Sequence, residues 1–181
     1  MQEFDARDLE QLTRRTLALP GKGVKGVYTS ADFMDQLARK RIMRLKGEAL
    51  VVGNGSDALE AARAAVGLGA EKVTVVCMGP DADMAFTLEE AAEAKADGVR
   101  IMHGWAPMRI AGHTDGRTSG VFFKHCDRVF DGDGRFSPKY DTNNTMARYG
   151  DTVILAGDCV SNFNWGRAVV NSDQVGPTEF F

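Results

Sequence analysis

The stretch Val51-Val52-Gly53-Asn54-Gly55-Ser56-Asp57-Ala58-Leu59-Glu60-Ala61-Ala62-Arg63 decides how this chain is read. An apolar run, Ala49–Val52, enters a glycine turn, and an alanine-rich helical pattern leaves it. Gly53, Gly55 and Ala58 stand in G-x-G-x-x-A register, and each small residue has its own task. Gly53 permits the tight turn, because it reaches backbone angles at which a Cβ would clash. Gly55 has no side chain to hold a ligand away, and Ala58 lets the helix pack closely on the strand. Free amides at the helix start, with the positive end of the helix dipole, then face a diphosphate. The pattern is the strand–turn–helix opening of a dinucleotide fold.

The flanking residues extend the pattern. Ala58, Ala62, Ala65 and Val66 form a helical stripe that runs to about Leu68, and Gly69 ends it. A β-branched run, Val73–Val76, follows at once, giving β–α–β in about 30 residues. Thr87 and Glu90 make a capping box for a helix that reaches Asp97, Gly98 closes it, and Val99–Met102 is the third strand. The result is half of a doubly wound sheet. A glycine turn in a parallel-sheet protein that binds no nucleotide is the alternative.

Upstream, residues 3–18 carry a helical pattern, broken at Leu19-Pro20-Gly21 and followed by a glycine-rich connector, Lys22–Gly26. Ser30 is the expected cap of a helix from Ala31 to about Leu45. Downstream, Met108–Ala111, Ser119–Val129 and Arg135–Tyr140 read as strands separated by Asp-Gly turns at Asp115-Gly116 and Asp131–Gly134. The fold expected is therefore α/β, a Rossmann-like βαβαβ unit with an antiparallel β-meander inserted before a last parallel strand, Thr152–Ala156. Residues 1–29 would be an N-terminal helix and connector, 30–158 the nucleotide-binding domain and 159–181 a tail.

Composition narrows the function. The 181 residues are 44% hydrophobic, enough for one domain with a proper core. A net charge of −3 with dispersed cations gives no electrostatic case for nucleic acid. The densest basic run, Arg39-Lys40-Arg41 with Arg44 and Lys46, suits a solvated helix end. Cys77, Cys126 and Cys159 show no CxxC pair, so neither a disulfide framework nor a zinc site is expected. There is no membrane-length apolar run and no signal-like N-terminus, and the chain reads as cytoplasmic. His103, Trp105 and Pro107 follow the third strand, where ligand contacts gather; His103 reads as an ordinary polar residue at a strand end ahead of a nicotinamide contact or an acid. Phe122, Phe123 and Phe130 suit a sheet core, and His113 a solvent-facing turn. No nucleophile–base pair is visible, so independent catalysis is not expected.

With these residues in hand, the chain resembles the small (β) subunit of NADPH-dependent glutamate synthase and the related two-dinucleotide-domain flavoprotein reductases. Leu19-Pro20-Gly21, Gly26-Val27-Tyr28-Thr29 and Phe33 are similar to the segment by which the flavin domain leads into the nucleotide insert. Gly53–Arg63 with Leu68–Val76 resembles the fingerprint and second strand. Met84, Glu89-Glu90 and Gly98-Val99 resemble the next helix and strand, and Asp151–Ala156 the last strand. The resemblance implies a domain that binds NADPH or NADH and presents it to FAD held by a flavin-binding domain or subunit. Electrons would then pass to a large partner subunit. It assigns the diphosphate turn to Gly53, Asn54, Gly55, Ser56 and Asp57, with Ala58 packing the helix behind it. It gives the adenosine ribose to Cys77 and Met78, and the nicotinamide end to Ala156 and Gly157, with Asp158 a cofactor contact in the following Gly-Asp motif.

Three departures accompany the likeness. The chain has no earlier glycine fingerprint, so FAD would come from a flavin half supplied elsewhere; Gly157-Asp158 resembles the flavin-contacting motif that returns after the insert. Cys77-Met78-Gly79 lacks both the acid that reads ribose hydroxyls and the arginine that reads a 2′-phosphate, which leaves NAD against NADP open. Asp81 and Asp83 lie nearby and could serve, but read first as loop-surface acids. Asp57 suits a bare helix start but repels a diphosphate if it points inward. A nucleotide-sensing or degenerate non-catalytic module is the rival expectation.

Overall fold

The computed structural model describes residues 24–80, 84–157 and 170–171. The helix expected over 3–18, the acids Asp81, Asp83 and Asp158, and all of the tail except 170–171 lie outside the described residues. The order is β1 (Val27–Thr29), α1 (Ser30–Ala38), β2 (Glu48–Val52), α2 (Ser56–Gly67), β3 (Lys72–Val76), α3 (Leu88–Ala96) and β4 (Val99–Met102). Then come β5 (Trp105–Gly112), β6 (Thr118–Phe130), β7 (Phe136–Tyr149), β8 (Thr152–Leu155) and β9 (Val170–Asn171). A parallel sheet runs β1-β8-β2-β3-β4, and a second sheet runs β7-β6-β5-β9. The expected α/β Rossmann-like unit with an antiparallel insert is what the chain forms.

The layers follow from strands that are apolar on both faces, as buried parallel strands are. Side chains alternate, so Ala49 and Val51 of β2, Val73 and Val75 of β3 and Ile154 of β8 face the helices. They meet Phe33 of α1, the alanine stripe Ala58, Ala61, Ala62 and Ala65 of α2, and Ala91 and Ala94 of α3. Leu50, Val52, Val76, Val153 and Leu155 face the other way and pack on Ile110, Val121 and Phe123 of the second sheet. The molecule is thus helices, parallel sheet and antiparallel sheet in three layers.

The hairpins form where their aspartates collect backbone donors. Asp131 accepts from the amides of Asp133 and Arg135 at 3.0 and 2.9 Å, and Asp115 from that of Arg117 at 3.0 Å. The capping box at α3 is present, with both the Thr87 and Glu90 bonds made.

Several expectations need correcting. Helix α1 stops at Ala38, not Leu45, and its cap is Thr29, whose side chain accepts from the Asp32 amide at 3.0 Å. Lys40 adopts a left-handed φ of 56°, which turns the chain out of the helix. Leu45 is buried from an extended segment, its amide bonded to the Leu68 carbonyl at 2.9 Å, so its place in the helical pattern was coincidental. Val27–Thr29 is a strand paired in parallel with Val153–Leu155, too short to show a pattern of its own. Strand β7 runs on to Tyr149, because its exposed stretch around Asp141–Thr145 needs no apolar alternation. Phe130 is 40% exposed rather than in the sheet core, since it lies at the far end of its hairpin. Phe122 and Phe123 are buried as expected.

Because Phe123 is fully buried between the two sheets, Phe123→Ala is expected to lower stability by about 3–5 kcal/mol. Urea unfolding followed by far-ultraviolet circular dichroism measures this directly.

Candidate functional site at the carboxyl edge of the parallel sheet

Strands β2, β3, β4 and β8 end together at Val52, Val76, Met102 and Leu155. From β2 the chain proceeds to β3 on one side, and β8 returns on the other, so β2 and β8 flank a topological switch point. Such crevices are where open α/β sheets gather ligands.

The turn at this point is closed by contact among small residues. The Gly53 amide donates to Val76 O at 3.1 Å, and the Ala156 amide to Val52 O at 2.8 Å. A Cβ on Gly53 would stand 2.9 Å from Ala156 Cβ, 3.0 Å from Ala156 O and 3.2 Å from Ala58 Cβ. Only glycine fits. Gly55 is the N-cap of α2, in extended backbone and without a side chain to bond the helix amides. The first amides of α2 are therefore available to an anion.

The charges around the turn oppose that role. Ser30 Oγ donates to Asp57 Oδ2 at 3.1 Å, bridging the starts of α1 and α2. Asp57 Oδ1 lies 2.8 Å from where a Gly55 Cβ would sit and 3.5 Å from the equivalent point on Gly157. The carboxylate thus stands inside the crevice, between the glycine turn and the end of β8. Glu90 adds a second acid. Its carboxylate accepts from the Thr87 amide at 2.7 Å and is also bonded by Ser56 and by the Thr87 hydroxyl. The Thr87 amide first, then Ser56 and the Thr87 hydroxyl, hold the Glu90 carboxyl below its usual range. The Ala85 amide donates to Asn54 O at 3.0 Å, which ties the segment before α3 to the turn.

At the end of β3, Cys77 and Met78 are buried. Cys77 is held by its backbone, donating to Met102 O at 2.7 Å and accepting from the Trp105 amide at 3.1 Å. Met78 packs with Ala106, Cys126 and Val129, and Tyr140 donates its hydroxyl to Met78 Sδ at 3.9 Å. Ala156 is buried at the switch point, and Gly157 is exposed with φ 58°. His103 is half-buried after β4, while Trp105 meets the His125 ring edge-on at 5.3 Å.

The structure therefore brings together Gly53, Asn54, Gly55, Ser56, Asp57, Ala58, Ala156 and Gly157, and draws Met78 into a separate cluster. Sequence reasoning did not find Ser30 or Glu90 as neighbours of the turn. The Thr87–Glu90 capping box was legible, but its approach to Ser56 comes from the packing of α3 on α2.

Residues 48–132 match the family model described as pyridine nucleotide-disulphide oxidoreductase. The matched stretch begins at β2 and ends in the β6–β7 turn, so it contains the whole glycine motif. Among solved structures, the chain is similar to FprA from Mycobacterium tuberculosis at TM-score 0.60 and 17% identity. That match covers 77% of this chain and 46% of FprA. The lysine monooxygenase NbtG from Nocardia farcinica matches at TM-score 0.50 and 18% identity, covering 72% of this chain and 36% of that one. At these identities the likeness is one of fold, and the chain spans less than half the length of either structure.

One feature of this edge suits a pyridine nucleotide: the start of α2 carries no side-chain cap, as a diphosphate site requires. The nucleotide fits poorly in charge, because Asp57 and Glu90 flank the same helix start. Among the described residues no helix is long and apolar enough to cross a membrane, and no cluster of three metal-ligating side chains occurs.

Gly53→Ala is expected to cost about 1–3 kcal/mol from overpacking at Ala156 and Ala58, read as a lower urea midpoint. Glu90 carries a depressed pKa in the fold, so its stabilising effect is complete above the ordinary glutamate range and fades as pH falls through the lower folded value. Glu90→Gln should lower Tm at neutral pH, and the gap from the parent should narrow on acidification in a Tm series.

Proposed function

We propose that this chain is the NAD(P)H-binding module of a flavin-dependent oxidoreductase resembling the glutamate synthase small subunit. The observation that carries the reading is the three-way contact of Gly53, Ala58 and Ala156 at the switch point, above an uncapped helix start. The match to a pyridine nucleotide-disulphide oxidoreductase model and the likeness to a monooxygenase with an NADPH domain support it. In this reading the amides of α2 hold the diphosphate, and the backbone at Cys77 and Met78 borders the adenosine. Ala156 and Gly157 border the nicotinamide. The bound nucleotide supplies a hydride to FAD on a separate domain or subunit, and the protein's share is orientation. An electron-accepting large subunit and a cytoplasmic setting complete the proposal.

A second reading is favoured by a specific observation. Asp57, fixed by Ser30 inside the crevice, with Glu90 beside it, describes a module whose nucleotide site is silenced. Cys77 and Met78, at the end of β3, add no arginine or acid for a ribose.

Calorimetric titration with NADH and NADPH at low salt, on the parent and on Asp57→Asn, separates the two. The first reading expects the parent to bind one cofactor in the micromolar-to-millimolar range, and Asp57→Asn to bind it about tenfold more tightly. Unit like charges at 4 Å repel by ~1 kcal/mol in bulk water and ~4 kcal/mol at an effective dielectric of 20, and tenfold, about 1.4 kcal/mol, lies near the lower end of that range. A silent parent with a binding variant supports the silenced module. No heat from either folded protein overturns nucleotide binding at this edge.

A further inference from the structure

On the face of the same sheet beneath β7 lies a cavity of about 270 Å³, between the parallel strands and β7. Its floor follows from register. Glu48 of β2 is paired with Lys72 of β3, Leu50 with Thr74, and Thr74 in turn with Arg100 of β4. Paired residues share a face, and this face is the one that Leu50 turns toward the antiparallel sheet. Its later row, Val52 and Val76, is covered by the meander core, whereas Lys72 and Arg100 are left lining the cavity.

The wall is the end of β7. Arg148 is paired with Val121, and Met146 with Phe123. Val121, Phe123 and Met146 all pack against the parallel sheet, so Arg148 stands on the inward face, in a row otherwise filled by core side chains. Its Nε is buried and makes no hydrogen bond among the described residues. A buried donor left in that state is costly, and more so when it is charged. An arginine kept in a core row at such a cost has a reason when an anion meets it.

The electrostatics point the same way. The cavity is lined by the cations Lys72, Arg100 and Arg148 and the single acid Glu48, which pairs with Lys72 at 2.9 Å. Arg100 and Arg148 have no ion pair among the described residues. Asp151, close by, accepts from the Tyr149 hydroxyl at 2.7 Å and the Glu48 amide at 3.0 Å; with its charge counted, the cations still outnumber the acids around the cavity. Leu50 and Met102 supply an apolar floor, and Thr74 a buried hydroxyl.

We propose that this cavity is a second binding site, for a small molecule with an oxyanion head and a compact apolar body, held by Arg100 and Arg148 across the two sheets. Guanidinium groups suit planar, bidentate capture of phosphate or carboxylate. The volume falls just below the about 300–1,000 Å³ of drug-sized pockets, which confines the ligand to a small one. The site is independent of the nucleotide reading, because it lies on the sheet face beneath β7 and none of its lining residues belongs to the Gly53–Ala58 turn or the end of β8.

The test is amide chemical-shift mapping on the full chain, titrated separately with phenyl phosphate, benzoate and inorganic phosphate. Saturable shifts at Thr74, Ala147 and Arg148 are expected, with phenyl phosphate or benzoate identifying the preferred head group. Both should bind more tightly than inorganic phosphate, which lacks the apolar body. Arg100→Gln with Arg148→Gln should weaken binding by about tenfold or more, as loss of charged hydrogen bonds does. Should the double variant misfold, Arg100→Gln alone carries the test, since Arg100 is exposed. The proposal is overturned if no probe gives saturable shifts, if the shifts centre on Gly53–Asp57, or if they survive the arginine substitutions.

Discussion

The contact of Gly53 with Ala156 and Ala58 is the constraint on which the rest depends. It joins the end of β2, the start of α2 and the end of β8 at one point, with no space for a single added carbon. The parallel pairing of β2 with β8 brings Ala156 there, through its amide bond to Val52 O. The alanine stripe of α2 can then lie flat on Val51, Val75 and Ile154, because small side chains let a helix approach a sheet closely. A larger residue at any of the three positions would lift the helix and open the switch point. The motif therefore serves the fold before it serves any ligand.

Much of this was legible in the sequence where local and tertiary demands agree. Strands β2, β3 and β4 and helices α2 and α3 fall within about a residue of their expected bounds. Their glycines, β-branched runs and capping box each have a local cause. Helix α1 shows the opposite case. Phe33, Met34 and Leu37 have helical spacing, and Leu45 continues it, yet Leu45 reaches the core from an extended segment. Periodicity records which residues seek the core, not the path by which they arrive there.

The site was legible as a turn but not as an electrostatic environment. Asp57 was visible as an acid at a helix start, and which way it points could not be read locally. Its partner Ser30 is 27 residues away and arrives through the pairing of β1 with β8. Arg148 is a similar case. In a strand whose exposed residues run through Asp141–Thr145, nothing marks one arginine as inward-facing; pairing with Val121 decides it.

The carboxyl edge of the parallel sheet and its face beneath β7 then differ in a way that bears on binding. Each of the three helices has an acid in its first turn: Asp32 in α1, Asp57 in α2, and Glu89 and Glu90 in α3. Acids there complement the positive ends of the helix dipoles. The fold has thus used its own carboxylates at the edge where an anionic cofactor would exploit the same dipoles. A diphosphate arriving there must displace or outweigh an internal counter-charge, and any nucleotide bound in the crevice is bound against that competition. Beneath β7 the balance is reversed: Arg100 and Arg148 line the cavity, with Glu48 committed to Lys72. Among the described residues neither arginine has an ion pair, so an anion there would meet an excess of positive charge. The carboxyl edge has the uncapped helix start for an anion and the face beneath β7 has the charge, so the two requirements are divided between two places on one sheet.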